Sequence, residues 1–398
     1  MKPFALLFIG LAFVLPLFGA PSPDAQKLAA ADCTFGFRLL KELNREQPAR
    51  NIFVSPYSAS TALQMVCNGA GGRTKTEMAQ VLGTADLPQN AVNAATLEIQ
   101  KSLDAAGTNI ILNTANALWC REGVAIKPAF IAANQQFFRA TVESLDFDRP
   151  RTVSKINGWV AEKTHGKIGS ILQGPIDPAT KLFLANAIYF KGKWQEPFDK
   201  NATIKRAFHL RGGAQKKVPM MEQSRHFDYR RGAGYQAVRL DYENSPLAMY
   251  IFLPDENSSP EKLLSIMNGD NWQRITKPGF SGQDGTLQLP KFRIEYGVEL
   301  IQPLEALGMK EAFSDTADLS GIANHLFVSD VLQKAFVQVN EEGTEAAAVT
   351  FGAVAAAAEP MPTIPPFRMI VDRPFLFLIE DQNTGTILFT GVIFDPGA

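Results

Sequence analysis

The sequence predicts an α+β protein, and three observations carry that prediction. Helical and strand patterns interleave without the β-α-β rhythm of a parallel sheet. Helices concentrate early, and the final third returns to strands. No internal repeat and no clear linker divides the 398 residues. One domain over residues 26–398 is therefore expected, built on large, mostly antiparallel sheets. A formal net charge of −1 and a pI near 6.5 argue against nucleic acid or an anionic membrane as the main partner.

The first residues read "MKPFALLFIGLAFVLPLFGAPSPDAQ". Lys2 precedes an apolar run from Pro3 to Ala20, which Pro16 interrupts before small residues and prolines follow. This pattern predicts a cleaved signal peptide over about residues 1–25 and a secreted protein, extracellular or periplasmic, over the alternative of a membrane anchor. No other segment approaches a spanning length, so no stable membrane association is expected.

"DAQKLAAADCTFGFRLLKEL" has helical spacing, with Leu28, Phe35, Leu39, Leu40 and Leu43 near one face. "NIFVSPYSASTALQMVCNGAGG" begins as a strand, turns at Ser55-Pro56 and continues as a helix up to its glycines. "TKTEMAQVL" opens another helix, and Thr74 and Glu77 have the spacing of a capping box. "NIILNTANALWC" reads as a strand. "VSKINGWVAEKTHGKI" is an amphipathic helix with Ile156, Trp159 and Val160 on one side and Gly166 as its stop. "TKLFLANAIYFKGKW" is a long strand, Phe208 to Pro254 is mostly strand, and "SPEKLLSIM" is a helix. "GTLQLPKFRIEYGVELIQPLEALGM" reads as a strand followed by a helix.

Signatures of catalysis are mostly absent, and nothing suggests a triad assembled from distant residues. There is no GxSxG, HExxH, GxxxxGK[ST] or CxxC. His165, His209, His226 and His325 stand in different elements without metal-ligand spacing. Cys33, Cys67 and Cys120 are far apart and odd in number, as buried small hydrophobes would be. "GAGGRTKT" follows a helix pattern, whereas a phosphate loop follows a strand. No enzyme, no metal and no cofactor are expected. Asn201 ("NAT") and Asn257 ("NSS") stand in N-glycosylation acceptor tripeptides.

One stretch fits none of these patterns. "NEEGTEAAAVTFGAVAAAAEPMPTIPP", Asn340 to Pro366, lies between the strand-like "KAFVQVN" and "FRMIVDRPFLFLIED". It is too long and too apolar for an ordinary loop. As a helix it is interrupted by Val349, Thr350, Phe351 and Gly352. Two readings stay open on the residues alone: a buried Ala-rich helix, and a segment presented to a partner and able to change its structure.

Six stretches in order carry a resemblance to the serpins: "NIFVSPYSASTAL", "LANAIYFKGKWQEPF", "LPKFRIE", "LGMKEAFSDTADLSGI", "VNEEGTEAAAVT" and "DRPFLFLIEDQNTGTILFTGVIFDP". The resemblance spans about Asp24 to Pro396. It implies helices around three mostly antiparallel β-sheets and an exposed reactive-centre loop over about residues 341–366. It also implies suicide inhibition of a serine protease: the protease cleaves the loop, the freed segment inserts into the central sheet, and the acyl-enzyme is dragged along and distorted.

On that reading the stretch must be solvated bait first and a buried strand afterwards. Charge and bulk are costly in the second state. Because strand side chains alternate, Thr344, Ala346, Ala348, Thr350, Gly352 and Val354 share one face, and all are small or modest. Glu345 and Phe351 fall on the other. Gly343 supplies a backbone hinge after Glu341. Insertion supplies on the order of 10–30 kcal/mol if it adds roughly 15–20 ladder bonds. Relatives that do not inhibit tend to spoil this hinge, and here it is intact; a carrier, storage or chaperone role is the alternative.

The family's spacing from Gly343 points to Ala357–Ala358 as the cleaved bond, with Ala356–Ala357, Ala358–Glu359 and, disfavoured by its proline, Met361–Pro362 as neighbouring candidates. The alanine run is bait for the narrow pocket of an elastase-like protease. A trypsin-like enzyme would need Arg or Lys, and neither occurs between Lys334 and Arg368. The resemblance also implies a polar "shutter" at Ser55, Ser58 and Asn186, and a "breach" tryptophan at Trp194. Gln333 departs from the family's usual histidine; it can hydrogen-bond Asn186 or Ser55 but cannot become charged. The region expected to bind heparin, "PQNAVNAATLEIQKSLDAAG", holds one lysine, Lys101, so no heparin site is evident. A monomer is expected, with the protease as its partner.

Overall fold

The computed structural model describes residues 20–276, 279–344 and 365–397. Helix α1 (Pro23–Glu46) starts where Ser22 accepts from the Ala25 amide, with Pro23 preset for the first turn. Leu28, Phe35, Leu39, Leu40 and Leu43 are all buried, as the periodicity requires. Strand β1 (Ile52–Val54) runs into α2 (Pro56–Cys67) through Ser55, whose hydroxyl caps the Ser58 amide. Helices α3 (Gly72–Leu82) and α4 (Gln89–Asp104) follow, then β2 (Ile110–Arg121), α5 (Pro128–Phe138), β3 (Thr141–Leu145), α6 (Pro150–Lys163) and β4 (Leu182–Lys193). The left-handed residues His165 and Gly166 end the α6 region.

The middle of the chain is strand-rich: β5 (Ile204–His209), β6 (Gln215–Gly232), β7 (Tyr235–Asp241) and β8 (Leu247–Pro254). Two short helices, α7 (Pro260–Ile266) and α8 (Gly269–Thr276), separate these from β9 (Ser281–Pro290) and β10 (Phe292–Glu299). Helix α9 (Ile301–Leu307) precedes β11 (Asp330–Asn340), β12 (Gly343–Thr344), β13 (Phe367–Ile370), β14 (Phe375–Asp381) and β15 (Thr386–Ile393).

Among the described residues the strands form a nine-stranded and a six-stranded network. The larger runs β1-β15-β14-β8-β7-β6-β9-β13, with β5 added on β6. Two of the three expected sheets are continuous here because β6 is 18 residues long: one end pairs with β5, the other with β7, and β9 lies along its length. The six-stranded sheet runs β10-β11-β12-β4-β2-β3, with β11 also pairing β4 directly.

Alternation along β4 sorts its side chains between two sides. Ile188 and Phe190 join a core with Phe53, Ile251 and Phe377 between the sheets. Ala187 and Tyr189 pack instead with Val160 of α6. Helix α6 therefore covers the outer side of the central sheet, and Asn186 faces the interior.

Two sequence expectations need correction. Thr74 and Glu77 do not form a capping box, because α3 already begins at Gly72. Their side chains serve the segment before β11 instead: Thr74 accepts from the Asp318 amide, and Glu77 accepts from the amides of Lys310 and Glu311. The single strand expected around "LQLPKFRIEY" is two strands in different sheets, broken at Pro290-Lys291, where the chain changes partner from β6 to β11. The three cysteines are free and buried, as expected.

Asp32 is a polar exception between α1 and α2. It is 3% exposed, and Ser60 donates to its carboxyl at 2.5 Å. Tyr57 and Cys33 both feel its charge, and each is held above its ordinary value first by burial. Burial raises Asp32 to about 7, only partly offset by the Ser60 bond. The folded pKa therefore lies above the unfolded 3.8, so Asp32 costs stability progressively as pH rises from about 4 to about 7. Asp32→Asn, which keeps an acceptor for Ser60, is expected to be more stable than wild type at pH 7.5 by about 1–4 kcal/mol, with the difference shrinking toward pH 4. Urea unfolding of both proteins across that range checks it; a pH-independent difference contradicts it.

Candidate functional site: a forked strand pair in the central sheet

Strands β4 and β11 are parallel neighbours from Phe183↔Asp330 to Tyr189↔Phe336. Beyond that point they part, and β12 lies between them. After β11 the chain reverses at Glu341-Glu342 and returns antiparallel, pairing Gly343 with Asn340 and Lys193, and Thr344 with Val339 and Gly192. The first two residues of the hinge are thus already a strand inside the sheet.

Local chemistry explains why these residues occupy the fork. Gly343 has φ +150°, and a Cβ there would lie 2.1 Å from the Gly192 carbonyl oxygen. Thr344 is fully buried, its hydroxyl 2.8 Å from that of Tyr242. Tyr242 in turn stacks on Trp194 at 4.8 Å. An arginine at 344 would bury a charge with no partner.

A set of loop residues clasps the reversal. Trp194 donates its backbone N–H to Glu342 O and its indole Nε1–H to Asn340 O, both at 3.0 Å. Phe198 N–H donates to Glu341 O at 2.8 Å. The Glu341 carboxylate, buried, accepts from Thr203 Oγ1 at 2.9 Å and pairs with Lys291 Nζ at 2.9 Å. Burial alone would raise this carboxyl, but the bonds from Lys291, from its own backbone amide and from Thr203, with the Lys291 charge, outweigh it and hold it below the ordinary range. Glu342 pairs with Lys200. Glu341, Gly343, Thr344 and Trp194 are therefore brought together at one end of the sheet.

Further along the same strands lies a buried polar row. Asn116 of β2, Asn186 of β4 and Gln333 of β11 are in register across three neighbouring strands. Gln333 exchanges bonds with the Ser55 backbone, accepting from its N–H at 3.0 Å and donating to its carbonyl at 3.1 Å, and also donates to Asn186 Oδ1 at 2.8 Å. Asn186 Nδ2 donates to Asn116 Oδ1 at 2.6 Å and to the Ser58 hydroxyl. Gln333 thus makes both of the bonds open to it and ties β4 and β11 to the start of α2.

The sequence reading missed Asn116, Tyr242, Thr203 and Lys291. Asn116 sits in an unremarkable "NTANAL" run, and only its register with Asn186 marks it. Ala346, Ala348, Thr350, Ala357 and Ala358 lie outside the described residues.

The central sheet is thus forked at one end and holds the two-residue strand Gly343–Thr344 between β4 and β11. Comparison with known proteins assigns the fold to a family. The family model for serpins (serine protease inhibitors) matches residues 30–396. The chain belongs to the serpin family. It is 37% identical to leukocyte elastase inhibitor of Sus scrofa, over 93% of this chain and all of that protein. It is 38% identical to iripin-8 of Ixodes ricinus, over 94% of each. The fold superposes on human thyroxine-binding globulin complexed with thyroxine with a TM-score of 0.86 at 28% identity, covering 94% of this chain and all of that one.

The polar row generates a test. Asn186→Ala strands Gln333 Nε2–H, Asn116 Oδ1 and the Ser58 hydroxyl in the interior, at about 1–3 kcal/mol for each group left unsatisfied. The variant is expected to melt several degrees below wild type in thermal unfolding followed by circular dichroism. An unchanged melting temperature contradicts the importance of this row.

Proposed function

We propose that the protein is a secreted inhibitor of elastase-like serine proteases that acts as a monomer by cleavage, strand insertion and covalent trapping. One observation carries the reading: Gly343 and Thr344 already lie between β4 and β11, with Thr344 buried on the inner side. Continuing the same alternation puts Ala346, Ala348 and Thr350 on that side and Glu345 on the other. Insertion then requires β4 and β11 to separate from Tyr189–Phe336 downward, breaking the Gln333–Asn186 bond on the way.

The chemistry begins as ordinary proteolysis. The protease serine attacks the Ala357 carbonyl, its acyl bond to Ala357 forms, and the Ala357–Ala358 peptide bond breaks. Residues up to Ala357 are then joined to the rest of the inhibitor only through Thr344 and can fill the fork, carrying the protease on its ester. The ester is carried away from its catalytic environment before water can hydrolyse it. Ala at this bond suits a narrow primary pocket; a wider one would be underfilled, at about 1–3 kcal/mol per methylene-scale contact. Similarity to leukocyte elastase inhibitors supports this specificity.

Secretion rests on the apolar run after Lys2. Ser22 caps α1 and bonds Glu98 through both its amide and its hydroxyl, at 2.7 and 2.6 Å. Cleavage on the N-terminal side of Ser22 preserves this cap, whereas cleavage at residue 25 would remove it with the first turn. The similarity to thyroxine-binding globulin favours a second reading, a non-inhibitory carrier.

Mixing the protein with pancreatic-type elastase separates the two. An SDS-stable complex on a gel, with release of a C-terminal peptide beginning at Ala358, is the expected result. Ala357→Arg should shift inhibition from elastase to trypsin, because an Arg pairs with the acidic pocket floor that Ala leaves unsatisfied. Cleavage without a complex would favour the carrier. A peptide beginning beyond Pro360 would move the reactive bond.

A further inference from the structure

The turn that clasps the hinge carries a chemical feature that the inhibitory mechanism does not use. Lys200–Ala202 is a single turn of 3-10 helix between β4 and β5, and its two flanks hold the hinge: Lys200 pairs with Glu342, and Thr203 donates to Glu341. Between them stands Asn201, exposed, in the tripeptide Asn201-Ala202-Thr203. We propose that Asn201 is an N-glycosylation site whose oligosaccharide stands on this clasp, beside the mouth of the central sheet. The proposal rests on the secreted reading, since the modification is made during export.

The geometry accommodates the modification without loss. The turn is held by Asp199, whose carboxylate accepts from the Asn201 backbone N–H at 2.9 Å and from Nδ2 at 3.1 Å. A glycosylated amide keeps one N–H, so the backbone bond is untouched and the side-chain amide retains a proton to donate. The Thr203 hydroxyl needed for acceptor recognition engages Glu341 only once the chain has folded. The donor required is a lipid-diphosphate-linked oligosaccharide. In the transfer the Asn201 amide nitrogen bonds to the first sugar carbon, the sugar–oxygen bond to the diphosphate breaks, the amide gives up one proton, and the lipid diphosphate leaves.

Asn257 is the natural comparison. It is exposed too, on a turn closed by the Ser258 N–H donating to Asp255 O at 2.8 Å. Its tripeptide ends in serine, and Pro260 follows directly. Proline restricts the backbone of the residue before it, here the Ser259 of the acceptor. Asn201 has threonine, followed by Ile204.

The test expresses the full chain with its own N-terminus in a secreting eukaryotic cell, and analyses cells and medium by peptide mass mapping before and after peptide-N-glycosidase. Chain in the medium should carry an oligosaccharide on the tryptic peptide 201–205, and the enzyme should release it to leave aspartate at 201. Asn201→Gln should lose the corresponding gel shift, whereas Asn257→Gln and Thr203→Ser, which keeps the acceptor hydroxyl, should retain it. Exported chain with unmodified Asn201, or a shift lost in Asn257→Gln but not in Asn201→Gln, overturns the proposal and leaves secretion standing. Unmodified chain retained in the cytosol overturns the secretion reading and the proposal with it.

Discussion

The pairing of Gly343 and Thr344 with both β4 and β11 is the constraint on which the rest of this structure depends. Two parallel strands zipped along their length would present no vacancy. Strands separated along their whole length would expose two unpaired ladders to water and to other chains. Here the fork is held open at one end by a two-residue wedge and closed at the other by direct pairing. The indole and amide of Trp194, the Phe198 amide, Thr203 and the Lys291–Glu341 pair all bond the reversal that leads into the wedge.

The two polar clusters act in opposite senses on that fork. The clasp around Glu341 and Glu342 holds β12 between the strands at one end. The row Asn116–Asn186–Gln333, anchored on Ser55 and Ser58, ties β4 to β11 further along, and the proposed insertion requires those bonds to break. Neutral amides suit that barrier. Their bonds are made in the interior and lost one at a time, with no charge left buried. Gln333 keeps the barrier independent of pH, which a histidine at the same position would not.

Much of this was legible in the sequence, for identifiable physical reasons. The α1 stripe, the Ser55 cap and the long apolar β4 are local patterns, and periodicity and capping chemistry expose them directly. Gly343 and the small residues after it stand out because so long an uncharged stretch between two strands suits neither a solvated loop nor a continuous helix. What stayed hidden depends on register and on distant loops. Asn116 matters only because it falls opposite Asn186, and Lys291 and Thr203 meet Glu341 from segments 50 and 138 residues away. Thr74 and Glu77 show the converse: the local pattern was present, but the amides of residues 310, 311 and 318 claimed both side chains.

The central claim is that the sheet is poised to take up the segment after Thr344. The most direct measurement is the melting temperature of the intact protein and of the same protein after cleavage within the segment 352–360 by a protease it does not trap. If the segment enters between β4 and β11, the cleaved form gains about a strand's worth of ladder bonds and should melt tens of degrees higher. Coincident melting curves would show that the cut segment stays outside, and the fork between β4 and β11 would then be a fixed feature of the fold rather than a place for another strand.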